Sequence, residues 1–150
     1  MRVSAAMTRD ILCIAPADDL DAAHQLMSHH AIRHMPVLDG DELVGILSDR
    51  DVLLRSTRGR WGVTVPRTPV ANAMSKSPIV CSPGSQIADV ADLMLDNKID
   101  CVPVLDESRK LVGLITSSDM LELLREKDRA SGEIVPFKFI ICLAGLSATV

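Results

Sequence analysis

The stretch Leu43-Val44-Gly45-Ile46-Leu47-Ser48-Asp49-Arg50-Asp51 decides the fold, because the chain uses it twice. The second copy is Leu111-Val112-Gly113-Leu114-Ile115-Thr116-Ser117-Ser118-Asp119. In each copy an apolar run with a strand-forming composition contains a glycine, which lets another backbone or a ligand approach closely. A hydroxyl residue then stands three positions before an aspartate, which is the spacing of a helix capping box. Each copy therefore predicts a buried strand that leads directly into a helix.

The repetition extends well beyond these two stretches. At a constant spacing of 67 positions the matching pairs include Met7 with Met74, Pro16 with Pro83, and Leu20 with Ile87. The segments Met35-Pro36-Val37-Leu38-Asp39 and Val102-Pro103-Val104-Leu105-Asp106 keep the same spacing. One extra residue in the following turn then makes the spacing 68 as far as Asp51 and Asp119. A register held over so many positions indicates an internal duplication.

Composition narrows the class of protein. The chain has 150 residues, enough for one compact domain or two small halves that share a core. Its net charge of −4 and its 2% of aromatic residues make nucleic-acid binding an unfavoured function. No signal-like or membrane-spanning apolar run is visible, so we expect a cytoplasmic protein with no membrane insertion. The 4 cysteines form no Cys-x-x-Cys pair and are expected to be buried, reduced thiols.

The pattern within the first repeat predicts the order strand, helix, strand, strand, helix. The predicted strands are residues 11–15, 33–38 and 43–47, and the predicted helices are residues 20–30 and 48–58. Asp18 is the expected N-cap of the first helix, and Ser85 is its counterpart in the second repeat. Asp39-Gly40-Asp41 indicates a tight hairpin turn, and Pro36 indicates either a sheet edge or a place where the backbone amide is not needed.

These elements define an α+β (mixed α/β) chain made of two βαββα repeats. We expect repeat 1 over residues 1–58, a linker over 59–69, repeat 2 over 70–127 and an apolar extension over 128–150. The linker neighbourhood is locally basic and carries Trp61, which more often packs in such a position than stacks on a partner. In the extension, residues 134–143 are expected to be extended and to cover an apolar surface or pair with another chain.

The duplicated Met-Pro-Val-Leu-Asp or Val-Pro-Val-Leu-Asp hairpin, followed by Leu-Val-Gly-x-x-[Ser/Thr]-x-x-Asp, resembles the cystathionine-β-synthase (CBS) domain family. Two motifs in tandem resemble a CBS pair, or Bateman module, and the resemblance covers about residues 3–127. It implies two repeats packed through their sheets about a pseudo-twofold axis. It further implies clefts that bind AMP, ADP, ATP or S-adenosylmethionine, a homodimer, and regulation of an unknown protein partner. It implies no required cofactor and no catalytic activity.

Carried onto this chain, the resemblance assigns the ribose hydroxyls to Asp51 and Asp119. It assigns phosphate contacts to Ser48 and Thr116, with Arg50 as a neighbouring cation. The wall around the base would be formed by Ile14, His34, Met35, Pro36, Cys81, Cys101, Val102 and Pro103. The second motif has no cation at the position of Arg50, so an AMP-like or adenosyl ligand is favoured over ATP at both sites.

Each assignment has a plainer alternative. A carboxylate accepts both hydrogen bonds of a ribose diol, and a hydroxyl at a helix N-terminus suits a phosphate. The same Ser-x-x-Asp and Thr-x-x-Asp spacings serve as capping boxes worth ~1 kcal/mol each without any ligand. Ligand binding is preferred because of the resemblance, and the alternative function is a ligand-free scaffold for dimerisation.

Two further functions receive less support. The histidines that suggest a metal site are His24, His29, His30 and His34. His30 and His34 are four residues apart, but the first helix should end between them, so we predict no metal site. No set of nucleophile, base and acid is placed by a recognisable motif, so we predict no enzyme activity. A nucleic-acid contact through the basic linker stays a third hypothesis.

Overall fold

The computed structural model of the chain describes residues 1–131, and the predicted extended segment at 134–143 lies outside them. The first repeat comprises α1 (Leu20–His30), β1 (His34–Asp39), β2 (Glu42–Ser48) and α2 (Asp49–Arg55). The short strands β3 (Thr57–Gly59), β4 (Gly62–Thr64) and β5 (Ser75–Lys76) follow. The second repeat comprises α3 (Ile87–Asn97), β6 (Cys101–Leu105), β7 (Leu111–Thr116) and α4 (Ser117–Ser131). The predicted α+β class and the predicted first helix are confirmed.

The hairpin of each repeat forms where the sequence predicts it. β1 pairs with β2 in antiparallel register, from His34 opposite Ser48 to Asp39 opposite Glu42. Gly40 has a φ of +59° in the turn, a left-handed conformation that glycine adopts at no steric cost. β1 is the outer strand in the order β1-β2-β5, and its other side carries a single bridge to Ile14, so the missing amide of Pro36 interrupts no longer ladder. β6 and β7 repeat the antiparallel pairing in the second half.

The strand predicted over residues 11–15 is reduced to a single parallel bridge between Ile14 and Val37. Ile14 donates to the Pro36 carbonyl at 3.0 Å, and the Leu38 amide donates to the Ile14 carbonyl at 2.9 Å. The next bond of a parallel ladder would need an N–H at position 36, which proline lacks. The bridge between Cys81 and Val104 is the equivalent in the second repeat. The sequence prediction of a full first strand was therefore wrong.

The predicted helix caps stand one residue too early. α1 begins at Leu20, and its N-cap is Asp19, whose Oδ1 accepts from the Asp21 amide at 2.8 Å. The predicted cap Asp18 instead accepts from the Ala15 amide at 2.8 Å and closes the preceding turn. Ser85 likewise accepts from the Ser82 amide at 3.2 Å, while the N-cap of α3 is Gln86. Both predicted caps therefore stabilise the turn before the helix.

The second helix is shorter than predicted. α2 ends at Arg55, because Ser56 takes an extended conformation and its hydroxyl donates to the Val52 carbonyl at 2.7 Å. The chain then forms the β3–β4 hairpin, which begins within the predicted helix at residues 57–58 and continues into the region predicted to be a linker. Trp61 lies at the tip of this hairpin with 95% of its surface exposed, so the expectation that it packs was wrong.

The two repeats exchange their leading segments. Val3 and Met7 are buried in the core of the second repeat, with Val90, Val102 and Ile115. The core of the first repeat is completed by residues that lie between α2 and α3: besides Leu20, Met35 and Leu47, its buried members include Val65 and Val70. The edges of the hairpins repeat this exchange, because Thr8 bridges to Leu114 in β7 and Ser75 pairs with Ile46 in β2.

A third cluster joins the repeats through their sheets, as predicted. It contains the buried Ile46, Cys101 and Leu114, with Ile11 packed against them. Because Ile46 and Leu114 occupy the same place in the two motifs, this contact lies on the pseudo-twofold axis of the duplication. Within residues 1–131 no helix is both long and apolar enough to cross a membrane.

Candidate ligand-binding clefts

Two clefts open where the repeats meet. The larger, of about 440 Å³, lies between residues 48–51 of the first repeat and residues 78–79 and 98–101 of the second. The smaller, of about 230 Å³, is bordered by Leu114, Thr116 and Ser118 of the second repeat and by residues 11–12 and 31–34 of the first. At the spacing of the duplication many of these residues correspond, for example Ile11 with Pro78, Ala31 with Lys98, and Ser48 with Thr116. Each cleft therefore needs both repeats.

The hydroxyl and aspartate of the first motif form a complete capping box at α2. Asp51 Oδ2 accepts from the Ser48 amide at 2.8 Å and from Ser48 Oγ at 2.6 Å. The Asp51 amide in turn donates to Ser48 Oγ at 3.1 Å. Asp119 and Thr116 repeat this arrangement, with 2.7 Å for both bonds to Oδ2 and 3.3 Å for the return bond. The capping function that the spacing allows is thus present at both motifs.

Capping uses only one oxygen of each carboxylate. Throughout the part of the chain that the structure describes, no hydrogen bond reaches Oδ1 of Asp51 or Oδ1 of Asp119. Asp51 borders the larger cleft, whereas Asp119 is not among the residues that border the smaller one. Capping and ligand contact are therefore compatible at Asp51, and the two motifs are not equivalent.

The start of α2 has few donors left for a phosphate. Ser48 Oγ donates its single proton to Asp51. At the start of α4, Thr116 Oγ1 likewise donates its proton to Asp119. The Asp49 amide donates to the Arg33 carbonyl at 2.9 Å, and the Arg50 amide donates to Asp49 Oδ1 at 2.8 Å. A phosphate in the larger cleft would therefore depend on cationic side chains.

The two clefts are bordered by different numbers of charged side chains. Three cations, Arg33, Arg50 and Lys98, and three carboxylates, Asp49, Asp51 and Asp100, border the larger cleft. The second motif carries no cation, but Arg33 of the first repeat reaches it: its Nη2 donates to Ser118 Oγ at 3.4 Å. This contact could not be predicted from the sequence, because it depends on how the repeats pack.

Of the predicted wall residues, His34 and Cys101 border the clefts. Six others do not: Ile14, Met35, Pro36, Cys81, Val102 and Pro103. Ile14, Met35 and Val102 are buried in the cores, Cys81 packs against the second core, and the Pro36 and Pro103 carbonyls bind the amides of Ile14 and Cys81. Other apolar residues border the clefts, among them Ile11 and Leu12 in one cleft and Pro78 and Ile79 in the other.

Burial controls the protonation of the wall groups. It lowers the pKa of His34 below the ordinary value, and the neighbouring Asp49 carboxylate opposes this effect only in part. Burial, with Asp119 and Asp100 nearby, raises the pKa of the Cys101 thiol to about 12, which keeps it protonated and unreactive. From residue 1 to residue 131 no three His, Cys, Asp or Glu side chains are grouped so that they could hold a metal ion.

The repeated architecture matches a known family. The sequence model described as "CBS domain" matches residues 3–57 and again residues 70–126. The chain therefore belongs to the CBS domain family and carries two CBS domains in tandem.

Curated relatives include proteins of very different length. The chain is 32% identical over 115 residues to the CBS domain-containing protein YhcV of Bacillus subtilis, a match that covers 76% of this chain and 79% of YhcV. It is 32% identical over 119 residues to the inosine-5'-monophosphate dehydrogenase of Korarchaeum cryptofilum. That match covers 79% of this chain but spans only 23% of the dehydrogenase.

Solved structures share the fold. The putative acetoin utilization protein AcuB from Vibrio cholerae superposes with a TM-score of 0.74 at 29% identity, covering 91% of this chain and 98% of that one. CBSX2 in complex with AMP gives a TM-score of 0.73 at 24% identity, covering 85% and 98%. The CBS domain pair of MJ0100, in complex with 5'-methylthioadenosine and S-adenosyl-L-methionine, gives the same four values.

Proposed function

We propose that this chain is a regulatory module that binds an adenosine-containing ligand in the clefts between its repeats. Occupancy of the clefts is passed to a protein partner, with the module acting as a homodimer. Such signalling requires the ligand to bind two conformations with different affinities.

One observation carries this proposal: Asp51 presents an unbonded carboxylate oxygen at a cleft of about 440 Å³. This volume lies within the roughly 300–1,000 Å³ of small-molecule sites. The opposite wall supplies the apolar side chains of Pro78 and Ile79, against which a purine ring can pack. A carboxylate oxygen that accepts from a ribose hydroxyl, beside an apolar wall, suits a nucleoside.

The charges favour a ligand with little net charge. Three cations and three carboxylates border the larger cleft, and the first amides of α2 already have acceptors. AMP or S-adenosylmethionine therefore suits the site better than ATP or ADP. The solved complexes of CBSX2 and MJ0100 support the proposal at the level of the fold, and the choice of ligand rests on the cleft residues of this chain.

The smaller cleft is expected to fill second. Its volume of about 230 Å³ is below the usual range for small-molecule sites, and Asp119 does not border it. We therefore propose Asp51 as the principal ribose-binding residue, with His34 and Cys101 in the walls. For Ser48 and Thr116, capping is the primary function.

The test is a thermal-shift screen with AMP, ADP, ATP, S-adenosylmethionine, adenosine and GTP, followed by isothermal titration calorimetry. A ligand specific for the folded protein adds about 2.7 kcal/mol of stability at a hundredfold excess over its Kd. We expect a shift with adenosine compounds and none with GTP, and we expect Asp51→Asn to weaken binding far more than Asp119→Asn. The proposal fails if no adenosine compound shifts the transition, or if GTP shifts it equally.

A ligand-free scaffold for dimerisation is the second candidate. It is favoured by large exposed leucines on three helices, namely Leu54 on α2, Leu95 on α3 and Leu121 on α4. Contiguous exposed apolar surface marks sites of protein association. Light scattering without ligand, compared between the wild-type protein and Leu54→Ser, tests this function. A dimer that needs no ligand, in a protein that binds none, would favour the scaffold.

A further inference from the structure

Arg33 and His34 border both clefts, whereas their counterparts in the duplication, Asp100 and Cys101, border only the larger one. We propose that Arg33 is a cation shared by the two clefts, so that a phosphate-bearing ligand in one cleft weakens the binding of a second in the other. This inference rests on the proposed function and names a regulatory property of the same sites.

The contacts of Arg33 reach both motifs. Its backbone carbonyl accepts from the Asp49 amide at 2.9 Å, at the edge of the larger cleft. Its guanidinium donates to Ser118 Oγ at 3.4 Å, at the edge of the smaller cleft. The backbone is thus fixed at one site while the long side chain extends to the other.

The guanidinium is available to an anion. Among residues 1–131 no ion pair joins Arg33 to a carboxylate. The residue is exposed, and its contact to Ser118 is long for a hydrogen bond. A phosphate would provide a stronger, charge-assisted partner and would draw the side chain towards itself.

The two clefts depend on Arg33 to different degrees. Arg50 and Lys98 also border the larger cleft, but among the described residues Arg33 is the only cation that borders the smaller one. A phosphate in the larger cleft that engages Arg33 therefore removes the positive charge from the smaller cleft. The symmetric position holds Asp100, so the duplication supplies no second shared cation. Adenosine has no phosphate and should not produce this coupling.

The experiment compares the wild-type protein with Asp51→Asn, in which the larger cleft binds ligand roughly 10–100-fold more weakly and leaves the smaller cleft to fill first. Calorimetric titrations with AMP give the Kd of the weaker step in the wild-type protein and the Kd of the remaining cleft in the variant. We expect the smaller cleft of the variant to bind AMP at least about 5-fold more tightly than the weaker step of the wild-type protein. A roughly 5-fold effect is the lower end of the usual coupling between sites. With adenosine the two values should agree.

Two further variants assign the effect to Arg33. In an Arg33→Gln background the difference between the two AMP values should disappear. In a Lys98→Gln background it should persist, because Lys98 borders only the larger cleft. The coupling is overturned if the wild-type protein and Asp51→Asn give equal Kd values for AMP while Arg33 and Lys98 are intact. It is also overturned if both ligands bind in a single step. Either result leaves the proposed function standing. A failure of both AMP and adenosine to bind would overturn both proposals.

Discussion

Oδ2 of Asp51 lies 2.6 Å from Oγ of Ser48, while Oδ1 of the same carboxylate makes no hydrogen bond to any residue from 1 to 131. One side chain can therefore cap α2 and contact a ligand at the same time. The capping and binding interpretations of the motif are not exclusive, and substitutions can separate them.

Ser48→Ala removes the hydroxyl of the capping box but keeps the unbonded carboxylate oxygen. We expect it to lower the free energy of unfolding by ~1 kcal/mol and to leave ligand affinity nearly unchanged. Asp51→Asn keeps an oxygen for the cap and puts an N–H₂ donor where the ligand needs an acceptor. Loss of a charged hydrogen bond, about 1.5–3 kcal/mol, predicts a roughly 10–100-fold weaker Kd. Urea denaturation and calorimetry check the pair. Equal losses of stability and affinity in both variants would contradict the separation.

The repeated glycines make a second matched pair. A Cβ at Gly45 would lie 2.7 Å from Met74 Sδ and 2.9 Å from the Ser75 carbonyl oxygen, which belongs to the paired strand β5. A Cβ at Gly113 would lie 2.5 Å from Met7 Sδ, and its three nearest neighbours would all be side-chain atoms of that residue. Overpacking costs about 1–3 kcal/mol, and we expect Gly45→Ala to be the more destabilising because a backbone must move.

Double variants measured by urea denaturation check the cause. Met7→Ala should offset much of the cost of Gly113→Ala, since it removes Sδ and Cγ, the two atoms nearest to the new methyl group. Met74→Ala should leave most of the cost of Gly45→Ala, because the Ser75 carbonyl remains. Strong coupling in both pairs would show that the carbonyl contact does not matter.

The hairpins, the helix α1 and the α+β class could be predicted because their signals are local. The turn at Gly40 and the helical spacing of Leu20, Ala23 and Met27 each act within a few residues. The capping boxes at Ser48 and Thr116 are equally local. The one-residue errors at Asp18 and Ser85 arose because a polar residue can serve either the helix or the turn before it.

The rest depended on contacts between distant segments. The exchange that places Val3 in the second core has no signature in spacing or composition. The same exchange puts Ile11 and Leu12, rather than Ile14, at a cleft wall. At the spacing of the duplication this pair corresponds to the apolar residues 78 and 79, which border the other cleft. The cation Arg33 belongs to one repeat and reaches the motif of the other. Binding roles for all of these residues stay predictions.

Trp61 provides a spectroscopic prediction, because it is the one tryptophan of the chain and is 95% exposed. Its emission in the folded protein should be that of a solvated indole, should be quenched readily by acrylamide, and should change little on unfolding. Trp61→Ala should change the free energy of unfolding by less than about 0.5 kcal/mol, as for exposed sites without special contacts. Circular dichroism supplies that measurement. A large red shift of the emission on unfolding would instead show that the indole is covered.

His34 predicts a loss of stability in acid. Its pKa in the folded protein lies below the 6.5 of a free histidine, mainly because of burial. The unfolded chain therefore binds the proton first as the pH falls. Above about pH 6.5, His34 should not reduce the free energy of unfolding. Below that pH, the free energy of unfolding should decline as the pH falls towards the lowered pKa. Denaturation curves between pH 7.5 and 5 should show a smaller decline for His34→Gln. His30→Gln, at an exposed position, is the control, and an equal change in both variants would contradict the prediction.

The exchange of leading segments predicts that a substitution in one half of the sequence loosens the other half. Val3 and Val70 are both fully buried, the first in the core of the second repeat and the second in the core of the first. Truncation of either to alanine should cost about 2 kcal/mol from the two lost methyl groups and the space they leave. Native-state hydrogen exchange locates the effect, because local openings expose amides region by region. Val3→Ala should speed exchange mainly in β7, and Val70→Ala mainly in β2. The opposite pattern would mean that each repeat is built from its own contiguous stretch of sequence.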